Sequence, residues 1–176
     1  RDRLGSITAS AASIRCPSAE SGTWPLLLLD CAPFMPMIWP MPVLLSSALH
    51  AQLLAQAAIA HPLECCGLLL GTDEAIENLR PCANVAADPA TAFEVDPVAL
   101  IDAERNMRCG GQRLIGHYHS HPNGRCEPSP RDAASAAADG RLWLIVAGQQ
   151  VRGWRAVRDG ALLGAFDPVE LALSDG

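Results

Sequence analysis

The chain predicts a mixed α/β fold, with one main sheet between helices. Three observations lead there. Short apolar runs bounded by Gly and Pro mix with stretches of helical periodicity, without strict alternation. Two helix-start signals, Asp96-Pro97 and Ser129-Pro130, set a capping side chain just before a first-turn proline. The composition, 49% apolar and 18% charged over 176 residues, suits a single domain with a sizeable core.

Taken in order, residues 1–23 are rich in Ser, Ala and Gly and show neither a strand nor a helix period. Residues 24–45 are apolar but carry five prolines and Asp30, a density that breaks any helix long enough to cross a bilayer. They also lack the basic flank and small-residue cleavage site of a secretory signal. Residues 1–40 are therefore expected to be an extension, disordered or upstream of a natural start at Met35, Met37 or Met41. The folded domain is expected over 41–170, with 171–176 as a tail.

Within the domain, Ser46 or Ser47 caps a helix with apolar Leu49, Leu53, Leu54, Ala57 and Ala58, ending near His61-Pro62. Residues 64–71 read as a buried strand and 74–81 as its hairpin partner. Residues 91–95 alternate and suggest another strand. A helix follows from Asp96-Pro97 to about Met107, stopped by Cys109-Gly110-Gly111. Residues 112–120 form a strand, a turn-rich loop follows, and a helix over 131–138 opens at Ser129-Pro130. Strands at 141–147, 150–157 and 161–166 close the domain.

The charge is acidic, −6, from 13 Arg against 19 acidic residues, with no Lys. Such a balance argues against nucleic acid and against an anionic membrane surface as partner. The seven cysteines are odd in number, irregularly spaced and contain no CxxC pair, which fits reduced thiols in the cytoplasm rather than a disulfide framework.

Three of the five histidines fall in "GHYHSHPNGRCEPSPRD", residues 116–132. On a strand, residues two apart share a face, so His117, His119 and His121 lie together. His119 and His121, where the strand runs out, are the better placed pair and reachable from solvent; His117 reads as a packed histidine. Asp132, in the first turn of the next helix, can turn its carboxylate back over the strand end. Two imidazoles and a carboxylate make the ligand set of an open catalytic zinc site. The same residues also suit surface histidines beside a helix-dipole carboxylate, and spacing alone does not decide.

The wider pattern, His119-Ser120-His121-Pro122 with Ser129 and Asp132 at HxHx7SxxD spacing, resembles the JAMM (MPN+) metallopeptidase family. So does Pro62-Leu63-Glu64-Cys65-Cys66-Gly67-Leu68-Leu69-Leu70-Gly71, which matches P-x-E-x-x-G-x-L-x-G, and "FEVDP" ahead of the second helix. The likeness spans about residues 45–166 and points to the small stand-alone bacterial members. It implies a cytidine-deaminase-like mixed sheet flanked by helices, and one Zn2+ per chain held by His119, His121 and Asp132 with a water as nucleophile. Glu64 is implied as general base and Ser129 as oxyanion donor, although the hydroxyl of Ser129 also suits a helix cap. The implied substrate is the C-terminal tail of a ubiquitin-like or sulfur-carrier protein, added as a strand at a sheet edge. Ser120 is assigned a structural place, Cys126 a solvent-facing loop, and Cys66, Trp143 and Trp154 the core. A ligand-free scaffold and a non-haem iron enzyme are the competing readings; the second leaves Glu64 and Ser129 without a role. Oligomeric state is not legible.

Overall fold

A computed structural model describes residues 41–175. The expectations for residues 1–40 lie outside the described residues. The elements run β1 (Val43–Ser46), α1 (Ser47–Ala60), β2 (Cys66–Gly71), β3 (Ala75–Cys82), α2 (Pro97–Arg108), β4 (Leu114–Ser120), α3 (Pro130–Ser135), β5 (Leu142–Ala147), β6 (Gln150–Gly160), β7 (Gly164–Val169) and β8 (Leu171–Ser174). The strands form one mixed sheet in the order β7-β6-β5-β4-β2-β3-β1-β8. The sheet edges, β7 and β8, are separated in the chain by Glu170 alone, whose carbonyl accepts from Val43 N–H at 2.9 Å. The sheet therefore curls, so that its two outermost strands follow one another in the chain.

Helix boundaries follow their capping chemistry. Ser46 Oγ accepts from Leu49 N–H at 3.2 Å and starts α1. Asp96 accepts from Val98 N–H at 2.9 Å ahead of Pro97 at the start of α2. α3 stops at Ser135, short of the expected 138, because Ala136 is already extended. Ala137 and Ala138 are exposed and have nothing to bury, and an isolated turn of helix does not sustain itself.

Three further expectations are corrected. Residues 91–95 form no strand; only a single bridge joins Asn84 to Val95, and Phe93 turns onto a histidine ring instead of a strand partner. Residues 171–174, expected as a tail, are β8, paired in parallel with β1 through Leu44 to Ala172 and its neighbours. No element is expected over 43–46, yet these residues, at the end of the proline-rich apolar run and the start of the expected domain, form β1.

One sheet face packs on α1 through Leu53, Leu69, Tyr118, Leu144 and Val146. The opposite face carries Trp143, Ile145 and Phe166, with Leu68 packed towards α2. Two glycines let the central strands approach. A Cβ at Gly67 would lie 2.5 Å from the ring of Tyr118, whose hydroxyl bonds to Gln56 of α1. A Cβ at Gly116 would lie 1.8 Å from the carbonyl oxygen of Leu142 on the parallel neighbour β5. Backbone cannot retreat as a side chain can, so Gly116→Ala is expected to destabilise the fold by at least about 2 kcal/mol, read as a fall in Tm by circular dichroism.

Candidate metal centre and active site

Strand alternation puts the side chains of His117 and His119 on one face of β4, and His121 continues the row just past its end. Asp132 reaches the same point from α3. His119 Nε2 and His121 Nε2 are 3.0 Å apart; Asp132 Oδ1 lies 3.6 Å from the first and Oδ2 3.4 Å from the second. All three side chains are buried, His119 completely, while His121 also lines a pocket that opens to the surface.

The surroundings set the orientation of each group. His121 N–H donates to Val146 O at 2.8 Å, which ties the strand exit to β5. The His121 Nδ1 sits 2.7 Å from Arg125 O; a carbonyl only accepts, so Nδ1 carries the ring proton and Nε2 presents its lone pair to the cluster. His119 stacks on Phe93 with ring centroids 4.0 Å apart, and its Nδ1 is buried without a partner. That nitrogen is free to hold the proton while Nε2 faces His121 and Asp132. Two nitrogens and a carboxylate converging in a buried space suit a divalent transition metal of the zinc type.

α3 opens with a reciprocal capping box. Ser129 N–H donates to Asp132 Oδ2 at 2.6 Å, and Asp132 N–H to Ser129 Oγ at 3.2 Å. The cap uses a lone pair of Ser129 Oγ and leaves its O–H available, so capping and donating to a ligand do not compete. Burial pushes the Asp132 carboxyl up, but the imidazoles of His119 and His121 and the Ser129 amide outweigh it and hold it far below the usual range. Burial lowers His119. It also opposes protonation of His121, yet Asp132 and Arg125 O prevail and raise that group.

Glu64 enters from the neighbouring chain segment. β2 and β4 pair with Cys66 opposite His119, and Ser120 N–H donates to Cys65 O at 3.0 Å, so the same register sets Glu64 opposite His121. Its side chain is buried, 7% exposed, and burial foremost, partly opposed by His121, raises its carboxyl to about 7.

Asn84 holds this segment, a role not legible in the sequence. Its amide donates to Glu64 O at 2.9 Å and Ala92 O at 3.0 Å, while its oxygen accepts from Ala86 and Glu94 N–H, each at 3.0 Å. Glu64 N–H also donates to Pro89 O at 2.7 Å.

The remaining residues divide plainly. His117 stays outside the cluster, its ring 4.0 Å from that of Trp143. Burial lowers its pKa to about 3, so the imidazole is neutral. Ser120 Oγ accepts from Cys65 N–H at 2.9 Å, a structural place as expected. Cys126 departs from expectation: it is buried, with Sγ 3.4 Å from Gln150 O, and is no loop-surface thiol. Cys66 and Trp154 lie in the interior, and Trp143 packs there too while bordering the histidines.

A family model described as prokaryotic homologs of the JAB domain matches residues 46–159, well over half of the chain. The chain belongs to this family. Among curated relatives, the JAB domain here is 36% identical over 86 residues to a desampylase from Haloferax volcanii, covering 48% of this chain and 62% of that protein, a little under two thirds. It is 38% identical over 112 residues to a probable TtuB-protein conjugate cleaving protease from Thermus thermophilus, covering 58% of this chain and 72% of that one. Among solved structures, protein DSY2949 from Desulfitobacterium hafniense matches with a TM-score of 0.64 at 26% identity, over 76% of this chain and 94% of that one. Among the described residues, no helix of this JAB domain is long and apolar enough to cross a membrane.

Loss of the Asn84 amide would leave the part-buried carbonyls of Glu64 and Ala92 without this donor. Asn84→Ala is expected to increase amide hydrogen exchange across residues 84–94 by at least about tenfold, with little change in β5 and β6, as read by mass spectrometry.

Proposed function

We propose that this JAB domain is a zinc-dependent hydrolase that cleaves a peptide or isopeptide bond at the C-terminal tail of a ubiquitin-like or sulfur-carrier protein. The observation that carries the reading is the buried convergence of His119, His121 and Asp132, with Glu64 in register beside it. A relative named as a conjugate cleaving protease and another named as a desampylase support the substrate class.

When bound, zinc supplies Lewis acidity to the scissile carbonyl and lowers the pKa of an attacking water. The chain's own residues do the rest. Glu64 takes the proton of the water that adds to the carbonyl carbon and returns it to the amine as the C–N bond breaks. The buried setting that raises its carboxyl is that of a group able both to accept and to release a proton. Ser129, held rigid by the capping box, donates its free O–H to the carbonyl oxygen as charge builds there. His121 is fixed by Arg125 O and His119 by Phe93, so neither ring needs to reorganise during the reaction.

Strand addition at a sheet edge does not suit this geometry. β4 lies inside the sheet, with β2 on one side and β5 on the other, and both edges are several strands away. A tail instead reaches the donors across the open face, between the segment around Phe93 and α3. Retention of the donors, Glu64 and Ser129 together disfavours a scaffold role.

Incubation with a lysine conjugate of a ubiquitin-like protein ending in Gly-Gly tests the reading on gels. Cleavage should stop with a chelator and return with zinc. Glu64→Gln should fall by about 10²–10⁴-fold while the protein still carries metal. Undiminished cleavage by Glu64→Gln would remove the proposed mechanism.

A further inference from the structure

The sheet face that carries His119 continues into a cavity of about 310 Å3, lined by Phe93 and by Ser135 of α3 and so on the path proposed for the tail. The neighbouring strands β4 and β5 line it with His117 and Trp143, the segment before α2 and α2 itself with Phe93 and Leu100, and the end of α3 and the segment after it with Ser135 and Arg141. Two of these stretches also touch the donors. Phe93 stacks on His119, and Ser135 ends the short helix that presents Asp132.

Three features define what would fit. The His117 Nε2 atom is buried and has no hydrogen-bond partner, a condition relieved by a ligand group that pairs with it. The guanidinium of Arg141 is already committed, to Glu104 at 2.8 Å and to Asp139 at 3.4 Å, which favours a neutral occupant over an acidic one. Phe93 and Trp143 meet edge to face, with ring centroids 5.9 Å apart, and give the cavity an aromatic lining that suits a planar guest.

Position identifies the guest. In an extended peptide, every second side chain returns to the same face after about 6.6–6.8 Å, the same step that separates His117 from His119 along β4. Resting on the hydrolase reading above, we propose that the cavity between Phe93–Leu100 and Ser135–Arg141 is a specificity subsite. It takes the side chain two residues before the one that carries the cleaved carbonyl, and prefers a neutral aromatic ring whose hydroxyl reaches His117 Nε2. With Gly-Gly at the end of the tail, the selected residue is the one that precedes the two glycines.

Peptides of the form acetyl-Ala-X-Gly-Gly, joined through the terminal carboxyl to the ε-amine of a lysine amide, test this with X as Tyr, Phe, Ala or Asp. With the zinc-loaded full chain, kcat/KM for Tyr should exceed Ala by at least about tenfold and Phe by about fivefold. Leu100→Trp, which fills the cavity from its wall, should bring all four within about twofold. His117→Leu should abolish the Tyr-over-Phe preference yet keep Phe over Ala, an outcome that general loss of structure would not produce. Equal cleavage of the four peptides by the parent chain, or a preference that survives Leu100→Trp, would overturn the subsite. Binding to the metal-free full chain, followed by NMR of the Trp143 indole, separates the two proposals. A shift with the Tyr peptide but not the Ala peptide, without cleavage after zinc loading, supports the subsite and counts against the hydrolase reading. No shift with either peptide counts against the subsite, whatever is cleaved.

Discussion

Burying a carboxylate against two imidazoles is the arrangement on which the rest of this structure depends. An isolated ionised carboxylate is costly to remove from water unless it is paired and hydrogen-bonded. Asp132 is both, through the Ser129 amide at 2.6 Å and the two histidine rings. The histidines in turn have few other polar partners: His121 uses its second nitrogen on Arg125 O, and His119 leaves its own unpaired. The cluster is thus a set of electron-pair donors whose mutual approach a cation would stabilise.

That convergence depends on close packing elsewhere. β4 brings His119, and His121 just past its end, to the site only because it lies against β5 at the distance that Gly116 permits. The β2 side is set by Gly67 under the Tyr118 ring, and Tyr118 is in turn tied to α1 through Gln56. Glu64 then follows from the register of β2 against β4, while Asn84 and Pro89 O anchor its backbone. The order of dependence runs from backbone contact, to strand register, to the placing of a single carboxylate.

The parts of the site legible in the sequence are those controlled locally. Strand alternation brings His119 and His121 together, and a Ser-Pro-x-Asp helix start turns Asp132 back towards them; both effects act within a few residues. Glu64 was legible through its motif. Asn84 and Phe93 were not, because their roles arise only when the 84–95 segment folds over the strand ends. The strand expected at 91–95 failed for the same reason: alternating residues were spent on packing against His119, not on a ladder. β1 and β8 are four residues each and define one another across the length of the domain, so no local pattern announces either. Burial of Cys126 likewise comes from its contacts with the β5–β6 turn, on a part of the chain far from its own.

Zinc stoichiometry of the folded protein tests the central claim most directly. Native mass spectrometry after zinc loading and removal of excess metal should find about one ion per chain in the parent and none in Asp132→Ala or His119→Ala, with each variant shown to be folded by circular dichroism. A folded parent that retains no zinc, or variants that bind it as well as the parent, would contradict the account.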